Sequence, residues 1–301
     1  MGFALIKDYV DAIYAGKFRS CSLRKVPSQA TTAFWWADLS MASGNPLPNY
    51  YASTPLVAAV LDGDRGIFAG DDTGSGKYLT EMMLCTPTAG LVGPYRLLDY
   101  LLYYPFIDGD DTDAQLMDNT VTLPRYATGE GVMAMYVSVA PTTGGGSFSF
   151  TYVNQDGVEK TAPTQSYSTA AASIASLPCS QQAVAAGGRP FLLLADGDTG
   201  IRSLLTWMNA APGGGLGAVV LVRPIADYTI SEASTWSIEE HVSGRAVPPH
   251  VQDGAYLNLI MNCAATVARK IAEHFTPERL AGFPNVDAVV PYIHDLGCGM
   301  E

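Results

Sequence analysis

One short run carries residue types at a spacing that could do chemistry: Asp108-Gly109-Asp110-Asp111-Thr112, directly after the apolar stretch that ends at Pro105. In the Asp-x-Asp-x-Thr arrangement the first carboxylate can attack phosphorus as a nucleophile. The second can serve as acid and base, and both can approach a magnesium ion. This is the strongest candidate for a reaction centre in the chain, and it predicts a magnesium-dependent phosphatase built on Asp108 and Asp110.

The pattern resembles the nucleophile loop of haloacid-dehalogenase-type phosphatases, but the partners it requires are missing from the sequence. That chemistry also needs a lysine and a distal acidic pair to hold nucleophile and metal. Only Lys160 and Lys270 lie downstream, and Gly197-Asp198 has Arg202 where a second carboxylate is needed. As a calcium loop the run fails too. Asp113 stands at the sixth position, where glycine is required, and Asn119 at the twelfth, where glutamate is. The plainer reading is an acidic turn, with a loosely held cation as its one functional extension.

The other candidates fail in similar ways. Gly70-Asp71-Asp72-Thr73-Gly74-Ser75-Gly76-Lys77-Tyr78 has Asp71 at the first glycine position of a P-loop and Tyr78 at its metal-binding hydroxyl. A carboxylate there repels phosphate, so the stretch reads as an acidic loop. His241, His250, His274 and His294 stand apart from one another and from cysteine, so they offer no local metal pair. No Gly-x-Ser-x-Gly elbow occurs. In Leu194-Ala195-Asp196-Gly197-Asp198-Thr199-Gly200-Ile201-Arg202-Ser203 the Asp and Gly residues form a tight turn, with Arg202 placed to clamp a carboxylate. No cofactor, metal site or catalytic residue is assigned, and the chain reads as non-enzymatic.

Composition narrows the class further. Of 301 residues 48% are hydrophobic and only 15% charged, which predicts a folded chain with part of its surface covered by partners. The formal net charge is -12 and the 17 basic residues are scattered, so no direct nucleic-acid binding is expected. Five distant cysteines, Cys21, Cys85, Cys179, Cys263 and Cys298, indicate neither a disulfide framework nor zinc. The N-terminus lacks the pattern of a signal peptide, and no window is apolar for the length a membrane span needs.

The elements that hold these residues follow from periodicity. Phe3, Ile6, Tyr9, Val10 and Ile13 predict an amphipathic helix over about 3–15, whose stripe must rest on its own core or on a neighbouring subunit. Phe34-Trp35-Trp36 and Tyr50-Tyr51, on either side of two prolines, read as an aromatic arm laid over another surface, or else as plugs for this chain's own core. Leu97, Leu98, Leu101 and Leu102 suit a buried helix ending before Pro105, with a strand as the alternative. From Gly129 to Tyr228 the chain alternates, predicting strands near 131–139, 147–154, 157–162, 166–176, 189–195, 202–209 and 216–223. Asp156-Gly157 marks a hairpin between the second and third of them. Leu257, Ile260, Met261, Ala264, Val267, Ile271 and Phe275 trace a C-terminal helical stripe after a Pro248-Pro249 linker.

The fold expected is therefore mainly β with flanking helices. A central antiparallel β-sandwich of immunoglobulin-like or jelly-roll kind spans 129–230. Residues 1–128 form the helix, the arm and the apolar segment, and 231–301 a linker and C-terminal helical segment.

Several blocks resemble virion structural proteins of tailed bacteriophages: Asp99-Tyr100-Leu101-Leu102-Tyr103-Tyr104-Pro105, Asn119-Thr120-Val121-Thr122-Leu123-Pro124-Arg125-Tyr126, Tyr152-Val153-Asn154-Gln155-Asp156-Gly157, Gly197-Asp198-Thr199-Gly200-Ile201-Arg202-Ser203 and Asp253-Gly254-Ala255-Tyr256-Leu257-Asn258. The resemblance implies a structural component of a virion assembled in the host cytoplasm. It points first to a multi-copy capsid auxiliary or decoration protein, and otherwise to a neck or tail part. The implied partners are the major capsid protein or other virion subunits, and further copies of this chain. The expected interface is Phe34, Trp35, Trp36, Tyr50 and Tyr51. A carbohydrate-binding attachment sandwich using Trp35, Trp36 or Trp207 is the other non-enzymatic expectation.

Overall fold

The computed structural model describes residues 6–27, 35–63, 65–68, 70–71, 77–87, 89–168, 173–180, 189–241 and 248–262. Among these, one α-helix, α1 (Ile6–Tyr14), precedes a body built from antiparallel strands. Twelve strands make its two main sheets: β1 (Trp36–Asp38), β2 (Ala59–Val60), β3 (Gly93–Asp108), β4 (Gln115–Leu116), β5 (Met133–Ala140), β6 (Ser147–Asn154), β7 (Glu159–Thr161), β8 (Gln165–Ser166), β9 (Ser176–Leu177), β10 (Ile201–Asn209), β11 (Leu216–Ile230) and β12 (Leu257–Asn262). The larger sheet runs β9-β1-β12-β3-β11-β5, with β2 beside β3, and the smaller runs β7-β6-β10-β4, with β8 beside β6.

The larger sheet curls until its edges nearly meet. Ala175, next to β9, donates its N–H to Ser138 of β5 at 2.8 Å, while Asp38 of β1 donates to the Ala175 carbonyl at 2.8 Å. The result is close to a barrel, and its interior is filled by Trp36, Leu98, Tyr100, Met135, Val137, Val220 and Ile260. The outer face of the same sheet packs under the smaller one. There Leu101, Tyr104, Ala134, Tyr136, Val219 and Leu221 meet Phe148, Phe150, Tyr152, Leu204 and Trp207.

Two buried faces explain the sequence. Along β11 the residues Ala218, Val220 and Val222 point to one cluster, and Val219 and Leu221 to the other. A strand covered on both sides reads as a continuous apolar run, which periodicity cannot tell from a buried helix. So the stretch Leu97–Leu102, for which a helix ending before Pro105 was the first expectation, is the middle of the 16-residue strand β3. Pro105 does not end it because the proline sits where the β3–β11 register slips between Gly217 and Val219. The ladder requires no N–H at such a bulge, and Phe106 takes a positive φ of 56° there. In the smaller sheet only one face is buried, so β6 keeps a clean alternation with Phe148, Phe150 and Tyr152 inward.

Most of the strands expected between 129 and 230 are present, with three differences. Residues 189–195 form no strand. Of the expected 166–176 strand, the described residues pair only at its two ends, in β8 and β9. The last strand continues to Ile230, gripping β3 along its length. Partners from outside this stretch, β1, β3 and β12, complete the larger sheet. The C-terminal helical stripe is corrected at its start, because Leu257–Asn262 is a strand between β1 and β3. Its apolar residues alternate into two clusters instead of lining one helix face. The rest of that stripe, from Ala264 to Phe275, lies outside the described residues.

A third apolar cluster lies at the end of the long strands. Tyr95, Leu97, Tyr228 and Ile230 pack there with Leu259. Met82 and Leu84 close over it from a two-stranded ribbon, Glu81–Leu84 paired with Ser237–Glu240.

Candidate functional site

The acidic turn after β3 is built as a lock. Asp108 accepts the N–H of Asp110 at 2.9 Å, Asp110 accepts the N–H of Gly214 at 3.0 Å, and Asp111 accepts the N–H of Asp113 at 2.9 Å. Asn209 donates to the carbonyls of Asp108 and Asp111 at 2.9 and 2.8 Å. Gln115 exchanges two hydrogen bonds with the Asp108 backbone, both 2.9 Å. One oxygen of each of these three carboxylates is thus committed to a backbone N–H, Asp108 and Asp111 as Asx turns to the residue two further on and Asp110 as a tie to the distant Gly214 turn. Among the described residues no group of three or more His, Cys, Asp or Glu is arranged to hold a metal ion. The loop joins the Gly213-Gly214-Gly215 turn through Gly109 N–H to the Gly215 carbonyl, 3.0 Å, and Gly213 N–H to the Gly109 carbonyl, 2.8 Å.

The second acidic turn is also structural, but its lock differs from the one expected. Asp198 accepts Tyr152 Oη at 2.5 Å and Asn154 Nδ2 at 2.8 Å. Desolvation tends to raise its pKa, yet these two donors and the charge of Lys160 prevail and lower it. Arg202 does not clamp a carboxylate. It donates to the carbonyls of Thr128, at 3.0 Å, and of Gln155, tying three turns together.

Two buried carboxylates hold the larger sheet. Asp38 is fully enclosed and accepts four donors: Ser40 N–H at 2.8 Å, Ser40 Oγ at 2.8 Å, Tyr100 Oη at 2.7 Å and Tyr51 Oη. Burial raises its pKa, and the four hydrogen bonds oppose the shift without cancelling it. Burial and the Asp38 charge push the Tyr51 and Tyr100 phenols well above their usual value. Asp99 is gripped by Arg125, Nε to Oδ2 at 2.9 Å and an η-nitrogen to Oδ1 at 2.7 Å, and also accepts Tyr256 N–H at 2.9 Å. Both carboxylates are closed off from solvent, Asp38 capping the turn at Leu39–Met41 and linked to Tyr100 of β3, and Asp99 tied to Arg125 and Tyr256.

The expected interface is dispersed. Trp35, Trp36 and Tyr51 are buried in this chain's own interior, Tyr51 as a donor to Asp38. Tyr50 is exposed with the Arg65 guanidinium 5.8 Å from its ring centroid, and Phe34 lies outside the described residues. Trp207 is stacked between Tyr136 and Phe148 at 5.2 and 4.3 Å and is wholly buried. The sugar platform expected at Trp35, Trp36 or Trp207 is therefore absent from those residues. The Lys77–Tyr78 end of the acidic loop pairs with His250–Val251, while residues 72–76 lie outside the described residues.

The exposed apolar side chains among the described residues include those of α1 and of the two-stranded ribbon. The stripe of α1 buries none of its residues: Ile6 is 69% exposed and Tyr14 87%, with Val10 and Ile13 also open. The two-stranded ribbon turns Met82 and Leu84 inward and Met83 and Ile238 outward, the last two directly opposite each other. Met83 is 51% exposed and Ile238 61%, and Trp236, two residues before Ile238, is 64% exposed. Sequence reasoning missed this ribbon because its strands are 153 residues apart (237 minus 84) and only four residues long. The alternation Trp236-Ser237-Ile238 was the one available signal.

No family model, no curated protein and no solved structure matches this chain.

Proposed function

We propose that this chain is a non-enzymatic structural component of a bacteriophage virion, acting as a multi-copy capsid auxiliary or decoration protein. In this reading the two packed antiparallel sheets are a sandwich body of the jelly-roll or immunoglobulin-like kind. The α1 helix and the apolar ribbon are its means of attachment to the major capsid protein, to other virion subunits and to further copies of itself. One observation carries the reading. The chemistry-bearing side chains are spent on locking turns and joining strands, while large apolar side chains stand uncovered on α1 and the ribbon. Exposed apolar surface of this kind marks a site of association. The acidic surface favours the outside of a particle over contact with packaged nucleic acid.

Mass spectrometry of purified particles tests the proposal. The chain is expected in many copies per particle, and its absence from them would exclude the role. A second reading, a neck or tail part, predicts a low copy number in the same measurement.

A further inference from the structure

The arm formed by residues 6–27 lies on the body, yet none of its residues is buried. Several of its contacts are internal. Lys7 pairs with Asp11 across one helical turn, Phe18 meets Tyr9 edge-on with 5.1 Å between ring centroids, and Lys17 N–H donates to the Ala12 carbonyl at 3.0 Å. A cavity of about 640 Å³ lies between arm and body, with Ser20, Cys21 and Ser22 on one side and Asn45, Ile67 and Phe68 on the other.

What holds the arm is narrow. Its strand, Arg24–Val26, pairs with Ser43–Asn45 in a two-stranded sheet separate from the two main ones, and a ladder of that size is marginal in water. Leu23 rests half-buried on the third apolar cluster, and Arg19 donates to the Asp71 carbonyl at 3.3 Å. The strongest tie is Lys25. Its ammonium donates to the carbonyls of Ser40, Ala42 and Pro46 at 3.3, 3.2 and 2.8 Å, which uses all three of its protons. The cage belongs to the body: Asp38 caps the turn that contains Ser40, and the Ser40 carbonyl also accepts the Asn49 N–H at 2.9 Å. A glycine lets the arm come this close. A Cβ on Gly44 would lie 1.9 Å from the Arg24 carbonyl oxygen, and its three nearest atoms all belong to Arg24 and Lys25 of the arm.

We infer that residues 6–27 are a detachable strap, latched to the body by the Lys25 ammonium in its carbonyl cage, which opens as a unit while the main sheets stay folded. The balance follows from burial. Opening the strap gives up three charge-assisted hydrogen bonds and a three-residue ladder but exposes little apolar surface. Opening the main sheets exposes the large apolar clusters on both faces of β11. Segments with few buried contacts open locally at far lower free energy than a core does. Opening swings α1 clear of the body with its apolar stripe uncovered, so the latch sets how far that helix can reach. The inference concerns this chain alone and stands or falls whatever its copy number in particles.

Amide hydrogen exchange of the full chain, resolved by segment, tests this with the variants Lys25→Met and Gly44→Ala. In the parent the amides of Arg24–Val26 should exchange at least about a hundredfold faster than those of β3 and β11, through local opening. Lys25→Met keeps the length of the stem and removes the ammonium, and it should speed exchange in Arg24–Val26 by about tenfold or more. Gly44→Ala, whose added carbon meets the arm first, should do the same by a steric route. In both variants β3 and β11 should exchange at the parental rate. The inference is overturned if the strap of the parent exchanges as slowly as β3 and β11, if either variant leaves its exchange unchanged, or if β3 and β11 speed up along with it.

Discussion

Arg125 holds Asp99 through two parallel hydrogen bonds of 2.9 and 2.7 Å, with the Asp99 side chain fully buried in the middle of β3. The same guanidinium donates to the Tyr100 carbonyl at 3.0 Å, and Asp99 accepts from Tyr256 just before β12. The pair therefore ties the loop after β4 to two neighbouring strands of the larger sheet. A bidentate arrangement of this kind is among the stronger polar contacts available to a protein.

Removing one partner strands the other. Arg125→Ala leaves the Asp99 carboxylate buried without its countercharge, and losses of about 3–5 kcal/mol are typical of that situation. Chemical denaturation should show the loss, with Arg125→Lys recovering only part of it because an ammonium cannot make the paired contact. An unchanged midpoint in Arg125→Ala would contradict this account.

Asp38 makes stability depend on pH with a defined sign. Burial raises its folded pKa above the ordinary value of 3.8, so the folded state holds that proton more tightly than the unfolded chain does. The stabilisation from this group is full below the unfolded value and is lost as pH rises through the folded one. Comparing wild type with Asp38→Asn at several pH values isolates the effect. The wild type should gain stability relative to the variant as pH falls from neutral towards 4. Asp198, whose pKa is lowered, runs the opposite way in both proteins and cancels in the comparison.

Gly217 admits no side chain. A Cβ there would lie 2.0 Å from the Tyr136 ring, which lies over that glycine between the two sheets. Tyr136 is itself buried and stacked on Trp207, so it has no room to retreat. Gly217→Ala should cost about 1–3 kcal/mol as overpacking does, read as a lowered denaturation midpoint. Gly144→Ala, where no atom lies within 4 Å of the added carbon, serves as the control and should leave the midpoint in place.

The acidic turn separates a phosphatase from a structural lock. Asp110→Asn weakens the tie to Gly214, and Asp108→Asn weakens the cap on Asp110. Each should lower stability by about 1 kcal/mol or less, the scale of a single net hydrogen bond. Neither wild type nor variant should hydrolyse a generic phosphoester with magnesium. Turnover by clean wild-type protein that disappears in Asp108→Asn would restore the enzymatic reading.

Much of the fold was legible from residue order alone. Alternation in Ser147–Asn154 specified a strand with one buried face, and Asp156-Gly157 its hairpin, because the period of side chains along an extended chain is local geometry. Helical spacing likewise located α1, and the missing lysine and acidic pair argued against a phosphatase before any contact was known. What residue order left ambiguous was every element whose surroundings are made by distant segments. Leu97–Leu102 became a strand, and Leu257–Asn262 with it, because both strands lie between neighbours brought from far along the chain. Burial on both faces had erased their period. Trp35, Trp36 and Tyr51 read equally as an arm or as core, and only the closing of the larger sheet put them inside. The ribbon of Met83 and Ile238 exists only through pairing between strands 153 residues apart (237 minus 84), so tertiary structure alone could expose it as a surface.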